Sequence, residues 1–200
     1  MPSTAASPVR KQQPYRHLMQ QQKRYDILDG LPSYGPMYVP VSEDGELFYS
    51  EGFVVRLYKS DGSEWVANFR PGWSDCSLVF DYPESNRLVV IAKGQGYIMT
   101  PDQQTPIDTF GVDIKDAIKT EDNKIILVDD IYVRLIDDKG TVWQSERISW
   151  DGIKDIKLQD NILTGLSYDP MDSITEWIPF SIDLDTREIT GGSYRRYPIE

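Results

Sequence analysis

Short apolar stretches alternate with turn residues along most of this chain. From Glu46 onward, stretches rich in Val, Ile, Leu and aromatic residues are separated by Gly, Pro, Asn and Asp. Turn signals at a spacing of roughly 8–12 residues are typical of all-β folds. No window of the sequence carries the sustained 3.6-residue period and the caps of a long helix. The pattern therefore predicts strands joined by tight turns.

The predicted strands group into hairpin units whose turns lie about 40 residues apart, which is the repeat length of a β-propeller blade. The first unit holds strands at 47–49, 53–58 and 64–69, and the second holds strands at 87–92 and 97–99. The third holds strands at 124–128, 132–136 and 142–143, and the fourth at 162–166, 177–182 and around 189.

Two repeated phrases support copying of one module. Val-Arg-Leu occurs at 55–57 and 133–135, each time followed by a glycine (Gly62, Gly140) and then a tryptophan (Trp65, Trp143) at identical spacing. The copies lie 78 residues apart (133 − 55), and Ile-Lys-Asp recurs at 114–116 and 153–155, which is 39 residues apart (153 − 114). We predict a small β-propeller-like ring of four or five sheet units, with both tryptophans in the core or between units. A two-sheet β-sandwich or an open barrel with a duplicated hairpin is the alternative.

The N-terminal part of the chain differs from the rest. Residues 1–24 contain five Lys or Arg residues, no acid and a Gln-rich patch, without an apolar period. We predict a mobile basic tail and linker over residues 1–30, with a short helix around 15–24, and a single all-β domain over residues 31–200.

Charge is unevenly distributed. The whole chain has a net charge of −11, so residues 25–200, with 16 Lys or Arg against 32 Asp or Glu, carry −16 (16 − 32). A body of this sign repels phosphate backbones, which argues against direct nucleic-acid binding and favours a basic protein partner. Solubility alone is the other interpretation of this charge.

Apolar runs and cysteine content indicate the compartment. No apolar run approaches the ~18 residues of a membrane helix, and the N-terminus lacks a signal-peptide core. Cys76 is the only cysteine, so no internal disulfide can form, and we interpret it as a small buried filler. We therefore expect a soluble protein in the cytoplasm.

Few residues suit catalysis or metal binding. His17 is the only histidine and lies in the predicted tail, which argues against a catalytic triad or a zinc site in the folded body. Gly94 and Gly96 lack the lysine and helix of a phosphate loop, so we interpret them as a hairpin turn. We predict no catalytic residue, no cofactor and no metal.

Carboxylate pairs are the remaining chemistry. Pairs at 129–130 and 137–138 flank one predicted strand, while Asp183 and Asp185 share one strand face. Such pairs could bind calcium or hydrolyse a glycoside, although Asp in a turn commonly accepts hydrogen bonds from its own backbone. We favour structural or surface roles and keep a carboxylate-based, glycoside-acting enzyme as an alternative.

Four phrases together resemble a group of small acidic bacterial proteins. They are 49–55 (YSEGFVV), 68–73 (NFRPGW), 149–153 (SWDGI) and 179–186 (PFSIDLDT), the last running on to 191–194 (GGSY). The resemblance covers roughly residues 30–197. Such stand-alone acidic proteins are similar to the immunity partners of secreted bacterial toxins, and the resemblance implies no catalytic residue.

These observations predict a non-enzymatic binding protein, an immunity protein that blocks the active site of a basic toxin domain. The predicted anchor is Trp150, surrounded by Asp129, Asp130, Asp137, Asp138, Asp151 and Asp155. A regulatory or scaffold propeller that binds peptides is a further alternative.

Overall fold

The computed structural model describes residues 23–35, 37–171, 173–174 and 176–194. Their strands form four sheets of four strands each, and the short 3-10 helix Pro83–Ser85 lies between two of the strands. The predicted all-β, propeller-like repeat fold with four sheet units is confirmed. Residues 1–22, which include His17 and most of the tail predicted over residues 1–30, lie outside the described residues.

The sheets follow one another along the chain. Sheet I contains β1 (Tyr25–Ile27), β2 (Val39–Val41), β3 (Phe53–Tyr58) and β4 (Glu64–Phe69). Sheet II contains β5 (Leu78–Tyr82), β6 (Arg87–Ala92), β7 (Gln95–Met99) and β8 (Asp108–Phe110). Sheet III contains β9 (Asp116–Lys119), β10 (Ile125–Val128), β11 (Val133–Ile136) and β12 (Val142–Gln144). Sheet IV contains β13 (Ile153–Gln159), β14 (Ile162–Tyr168), β15 (Trp177–Asp183) and β16 (Ile189–Gly191).

Sheets II, III and IV share one topology. Each is an antiparallel meander in which the spatial order of the strands is their order in the chain. Tight turns with left-handed residues join the strands, as at Gly94 between β6 and β7, where φ is +95°. The prediction of a hairpin turn at Gly94 is therefore confirmed.

Sheet I departs from this topology and corrects two predictions. Its spatial order is β1-β3-β4-β2, with β2 parallel to β4. The predicted strand at 47–49 does not form; β1 occupies the place beside β3, where Tyr25 pairs with Leu57. The folded body therefore begins before residue 31, because β1 lies in the stretch predicted to be a linker.

Apolar clusters join the sheets face to face. One cluster combines side chains of sheets I and II, a second those of sheets II and III, and a third those of sheets III and IV. Among the described residues these clusters join neighbouring sheets only, and none of them joins sheet IV to sheet I. Over the described residues, the four sheets therefore pack as a consecutive series, which we call the stack.

The repeated tryptophans occupy matching places in this stack. Trp65 pairs with Leu57 across the β3–β4 hairpin, and Trp143 pairs with Leu135 across the β11–β12 hairpin. Each tryptophan also contacts the turn before the last strand of the next sheet. The indole N–H of Trp65 donates to the carbonyl of Pro101 at 2.8 Å, and the ring of Trp143 packs against Arg187. The prediction that both lie in the core or between units is confirmed.

The strands begin and finish on two opposite sides of the stack, which are distinct from its first and last sheets. At one of these strand ends, which we call the connector face, the chain crosses from one sheet to the next and the second and third strands of a sheet are joined. It contains residues 42–52, 70–77, 93–94, 111–115, 129–132, 145–152, 169–171 and 192–194. The opposite end, the turn face, contains the turns at 59–63, 83–86, 100–107, 120–124, 137–141, 160–161 and 184–188.

Candidate functional site

Trp73 is the most exposed tryptophan on the connector face. Its side chain is 81% exposed, whereas Trp65 is 4% exposed. The backbone that carries it is fixed, because the amide of Trp73 donates to the carbonyl of Val112 at 2.8 Å and the amide of Ser74 donates to that of Lys93 at 2.9 Å. A rigid backbone therefore presents a large aromatic ring to solvent.

Gly72 explains why this connector is so tightly packed. A Cβ at this position would lie 2.2 Å from the carbonyl oxygen of Val112 and 2.6 Å from the amide nitrogen of Gln95. No other residue fits such a close backbone approach. The loop before Trp73 is thus locked against sheet II.

A surface recess of about 680 Å³ adjoins the Trp73 ring. Its lining consists of Trp73, Ser74, Asp75, Cys76, Ser77, Leu78 and Lys115. Cys76 is half-buried and burial raises the pKa of its thiol, so its sulfur is a weak nucleophile at neutral pH. This agrees with the predicted packing role of Cys76.

Carboxylates surround the ammonium group of Lys115 beside this recess. Lys115 forms an ion pair with Asp130, and its Nζ lies 3.9 Å from Asp113 Oδ2. The hydrogen bond to Asp130 raises the pKa of Lys115, and the nearby Asp151 adds to this effect. Burial raises the pKa of Asp113. Around Lys115, the negative charges of the nearby carboxylates therefore outnumber the one positive charge of the lysine.

Asp129 belongs to the interior of the fold. It is 8% exposed, pairs with the buried Arg134, and accepts the backbone N–H groups of Ile131 at 2.7 Å and Tyr132 at 2.6 Å. Its carboxylate holds the turn between β10 and β11. The side chain is therefore committed to the fold and does not reach a partner at the surface.

The other predicted acidic residues do not form one patch. Asp130 and Asp151 lie on the connector face, while Asp137 and Asp138 lie on the turn face at the other end of β11. Asp137 accepts the amides of its own turn, Lys139 at 3.0 Å and Thr141 at 2.8 Å. Asp155 is exposed at a bulge of β13, with φ of +55°.

Trp150, the predicted anchor, is half-buried. Its ring centre lies 4.7 Å from that of Tyr194, and the guanidinium of Arg147 lies 5.4 Å from its ring centre. Arg147 also donates to the backbone carbonyl of Trp150 at 2.8 Å. Much of the Trp150 ring is therefore packed within the connector between sheets III and IV.

Trp73 lies on the connector face but was not among the binding residues predicted from the sequence. Trp73 and Trp150 both follow polar or turn residues, so their local sequences do not separate them. A Pro-Gly pair directly before Trp73 was the available signal, because it favours a surface loop in which a bulky ring has nothing to pack against.

The turn face holds a larger cleft between sheets I and II, with a volume of about 810 Å³. Its carboxylates are bound to groups of the protein: Asp81 pairs with Arg24 at 2.6 Å, and the hydroxyl of Tyr58 donates to Asp26 at 2.5 Å. Asp102 accepts hydrogen bonds from Ser60 and Asn86, which lower its pKa to about 2. Among the described residues that line this cleft, the carboxylates belong to a mixed-charge network and no two of them are free.

The remaining carboxylate pair caps a turn. Asp183 accepts the amides of Asp185 and Thr186, both at 2.9 Å, and Asp185 accepts a hydrogen bond from Asn161 at 2.7 Å. These contacts fit the structural role predicted for Asp in turns. Within the described ranges, no group of three or more His, Cys, Asp or Glu side chains is arranged to hold a metal ion.

No helix in the described part of the chain has the length and apolar character needed to cross a membrane.

Comparisons with known proteins give a limited result. No protein-family model matches the chain, and no curated protein matches it. Among solved structures, the chain is similar to the WD40 domain of Pan2 from Neurospora crassa, with a TM-score of 0.37 and 10% sequence identity. The similarity covers 60% of this chain and 37% of that one, so this chain spans well under half of its length.

Proposed function

We propose that this protein is a non-enzymatic binding module that holds a protein partner on its connector face, with Trp73 as the anchor. The observation that carries the proposal is the 81% exposure of Trp73 on a backbone fixed by hydrogen bonds. Tryptophan is enriched among the residues that dominate binding energy at interfaces. A backbone that is already ordered loses little entropy when a partner binds.

The surroundings of Trp73 favour a basic partner. Five acids lie beside the recess or around the ammonium group of Lys115. The lysines there are Lys93 and Lys115, so this set of residues has a net charge of −3 (2 − 5). The acids are Asp75, Asp113, Asp116, Asp130 and Asp151. An acidic face of this kind accelerates association with a basic partner and discriminates against acidic ones.

Within this function, we propose that the protein acts as an immunity protein, which neutralises a basic bacterial toxin domain by covering its active site. The acidic body and the resemblance to small acidic bacterial proteins support this role. The groove of a nuclease-type toxin is basic because it binds phosphates, so an acidic surface can occupy it. A peptide-binding scaffold would use the same face and differ in the identity of its partner.

Affinity capture from cells that express the natural genomic neighbourhood tests the anchor. We expect Trp73→Ala to lose the partner by at least about ten-fold, as for a tryptophan hot spot. Ile107→Ala, a large apolar residue exposed on the turn face, is the matched control and should capture normally. Equal capture by the wild type and Trp73→Ala would show that Trp73 is not the anchor.

Charge reversal tests the immunity role with the captured partner. Asp75→Lys with Asp151→Lys should weaken binding and abolish rescue of cells that express the partner. Both side chains are exposed, so the fold tolerates the change. Glu121→Lys with Asp138→Lys reverses two exposed acids on the turn face and should leave rescue intact. Full rescue by the Asp75 and Asp151 variant would contradict the acidic-face version.

The glycoside-acting alternative stays a prediction. Its test is hydrolysis of a panel of chromogenic glycosides, followed by the loss of that activity in Asp81→Asn and Asp102→Asn, the carboxylates of the cleft between sheets I and II.

A further inference from the structure

The two end sheets of the stack each have a face that no neighbouring sheet covers. In sheet IV, Leu163, Phe180 and Ile182 belong to the cluster shared with sheet III. Residues between them on the same strands point the other way. Thr164 and Pro179 are exposed on that second face. Over the described residues, sheet IV therefore ends the stack with an open face.

One part of the free face of sheet IV combines lysines with aromatic rings. Lys154 and Lys157 pair across the strands with Leu166 and Thr164, which places both lysines on this face, and both are exposed. The Nζ of Lys154 lies 3.6 Å from the ring centre of Trp177. Tyr168 packs against Trp177 with their ring centres 5.3 Å apart. Lys154 and Lys157 make the part of this face beside the Tyr168–Trp177 pair basic, whereas Asp183 and Glu188 lie on the same face at the far ends of β15 and β16.

A short segment, residues 42–52, joins β2 to β3 at the connector end of sheet I and is attached to the outer side of that sheet through Asn68. Asn68 lies on the face away from sheet II, because its neighbours Ala67 and Phe69 belong to the cluster shared with that sheet. Its side chain donates to the carbonyl of Ser50 at 3.1 Å and accepts the amide of Gly52 at 2.8 Å. Asn68 is fully buried, so this attachment is firm.

Segment 42–52 presents the opposite chemistry to solvent. Phe48 is buried beneath Arg70, while its neighbours Leu47 and Tyr49 are 68% and 85% exposed. The segment contains four exposed acids and no basic residue: Glu43, Asp44, Glu46 and Glu51. One of these, Asp44, pairs with Arg70 at 3.0 Å. The segment is thus an acidic surface with two exposed apolar side chains at its centre.

We propose that the chain self-associates, with segment 42–52 of one copy docked on the free face of sheet IV of a second copy. The acids would face Lys154 and Lys157, and Leu47 and Tyr49 would cover the Tyr168–Trp177 pair. Contact between two acidic segments, or between two lysine-bearing faces, would bring like charges together. The two surfaces differ, so the contact is heterologous: a pair of copies leaves one surface of each kind unpaired, and further copies add head to tail unless the rotation closes a ring.

Sedimentation velocity on the full chain tests the association. We expect dimers and larger species whose population rises with protein concentration and falls as the salt concentration is raised, because charge pairs at the rim are screened. A monomer at every concentration and at low salt would overturn the proposal. So would a dimer that is insensitive to the changes at the two surfaces described next.

Charge reversal identifies the surfaces. Lys154→Glu with Lys157→Glu should weaken dimerisation by about ten-fold, and Glu43→Lys with Glu46→Lys should do the same. Mixing the two reversed proteins should restore association between them, which a folding defect could not do. Lys59→Glu with Lys139→Glu, on the turn face, is the matched control and should dimerise like the wild type.

This inference does not rest on the function proposed for the connector face. Trp73→Ala should leave dimerisation unchanged. The sheet IV reversal at Lys154 and Lys157 should leave capture of the partner by Trp73 unchanged. The two proposals therefore fail separately.

Discussion

The repeated tryptophan of the first unit links two sheets through both its ring and its N–H. Trp65 is 4% exposed in the cluster between sheets I and II, and its indole N–H donates to the carbonyl of Pro101 in sheet II. Burial of an indole ring contributes much more than one hydrogen bond, because a cavity remains when the ring is removed.

We expect Trp65→Ala to lower the free energy of unfolding by about 3–5 kcal/mol and Trp65→Phe by about 1–2 kcal/mol, since Phe keeps part of the ring packing but not the hydrogen bond. Urea denaturation followed by circular dichroism measures both. Trp73→Ala is the control and should change stability by no more than about 0.5 kcal/mol, because that ring is exposed. A loss for Trp65→Ala as small as for Trp73→Ala would contradict the role of Trp65 between sheets.

These two tryptophans differ in how well their burial could be predicted from the sequence. Trp65 could be placed because an identical phrase recurs around Trp143, and repetition implies equivalent surroundings. Trp73 has no such copy. Its exposure depends on whether residues distant in the sequence pack over its ring, and the local sequence does not show this.

At the scale of elements, strand β7 depends on a glycine covered by an aromatic ring. A Cβ on Gly96 would lie 2.2 Å from Cε2 of Phe110, which sits directly across in β8. The Phe110 ring thus takes the space that a side chain would fill. This contact holds the short edge strand β8 against β7.

We expect Gly96→Ala to destabilise the protein by about 1–3 kcal/mol, because the added methyl overlaps the Phe110 ring. In a Phe110→Ala background the same change should cost about 1 kcal/mol less or be neutral. Thermal or urea unfolding of the wild type, the two single variants and the double variant measures the coupling. Additive effects of the two changes would refute the overlap.

Most of the central strands were predictable, since continuous runs of Val, Ile and Leu identify β6, β10 and β11. The edge strands β2, β8 and β9 were not. They have three or four residues and partly exposed side chains, so their pattern differs little from that of loops. The replacement of a strand at 47–49 by β1 was also hidden, because it requires a segment from before the domain to pair with β3.

At the scale of the whole molecule, the sheets differ in how many neighbours cover them. Every residue of β10 and β11 is buried, whereas buried and more open residues alternate along β14 and β15. Sheet III has a neighbour on both faces, and sheet IV has one. Local stability should follow this difference, because backbone hydrogen bonds under two packed faces open only with larger unfolding events.

Amide hydrogen exchange should therefore be slowest in β6, β7, β10 and β11 and clearly faster in β14 and β15, with a difference of about ten-fold or more in protection. Mass spectrometry of peptic fragments measures it at a low protein concentration, where docking of a second copy on sheet IV is minimal. Equal protection in sheets III and IV would contradict a stack that ends at sheet IV.

The sequence by itself determined the all-β class, the repetition of a sheet unit and the acidity of the body, because periodicity, copied phrases and charge are local or additive properties. Only the tertiary structure decided which acids are internal and which tryptophan is exposed. Asp129 and Asp130 are adjacent in the chain, yet one is buried with Arg134 and the other reaches Lys115 at the surface. The direction in which each side chain points and the packing of distant segments decide which acid is buried. Neither can be predicted from the residues next to each site.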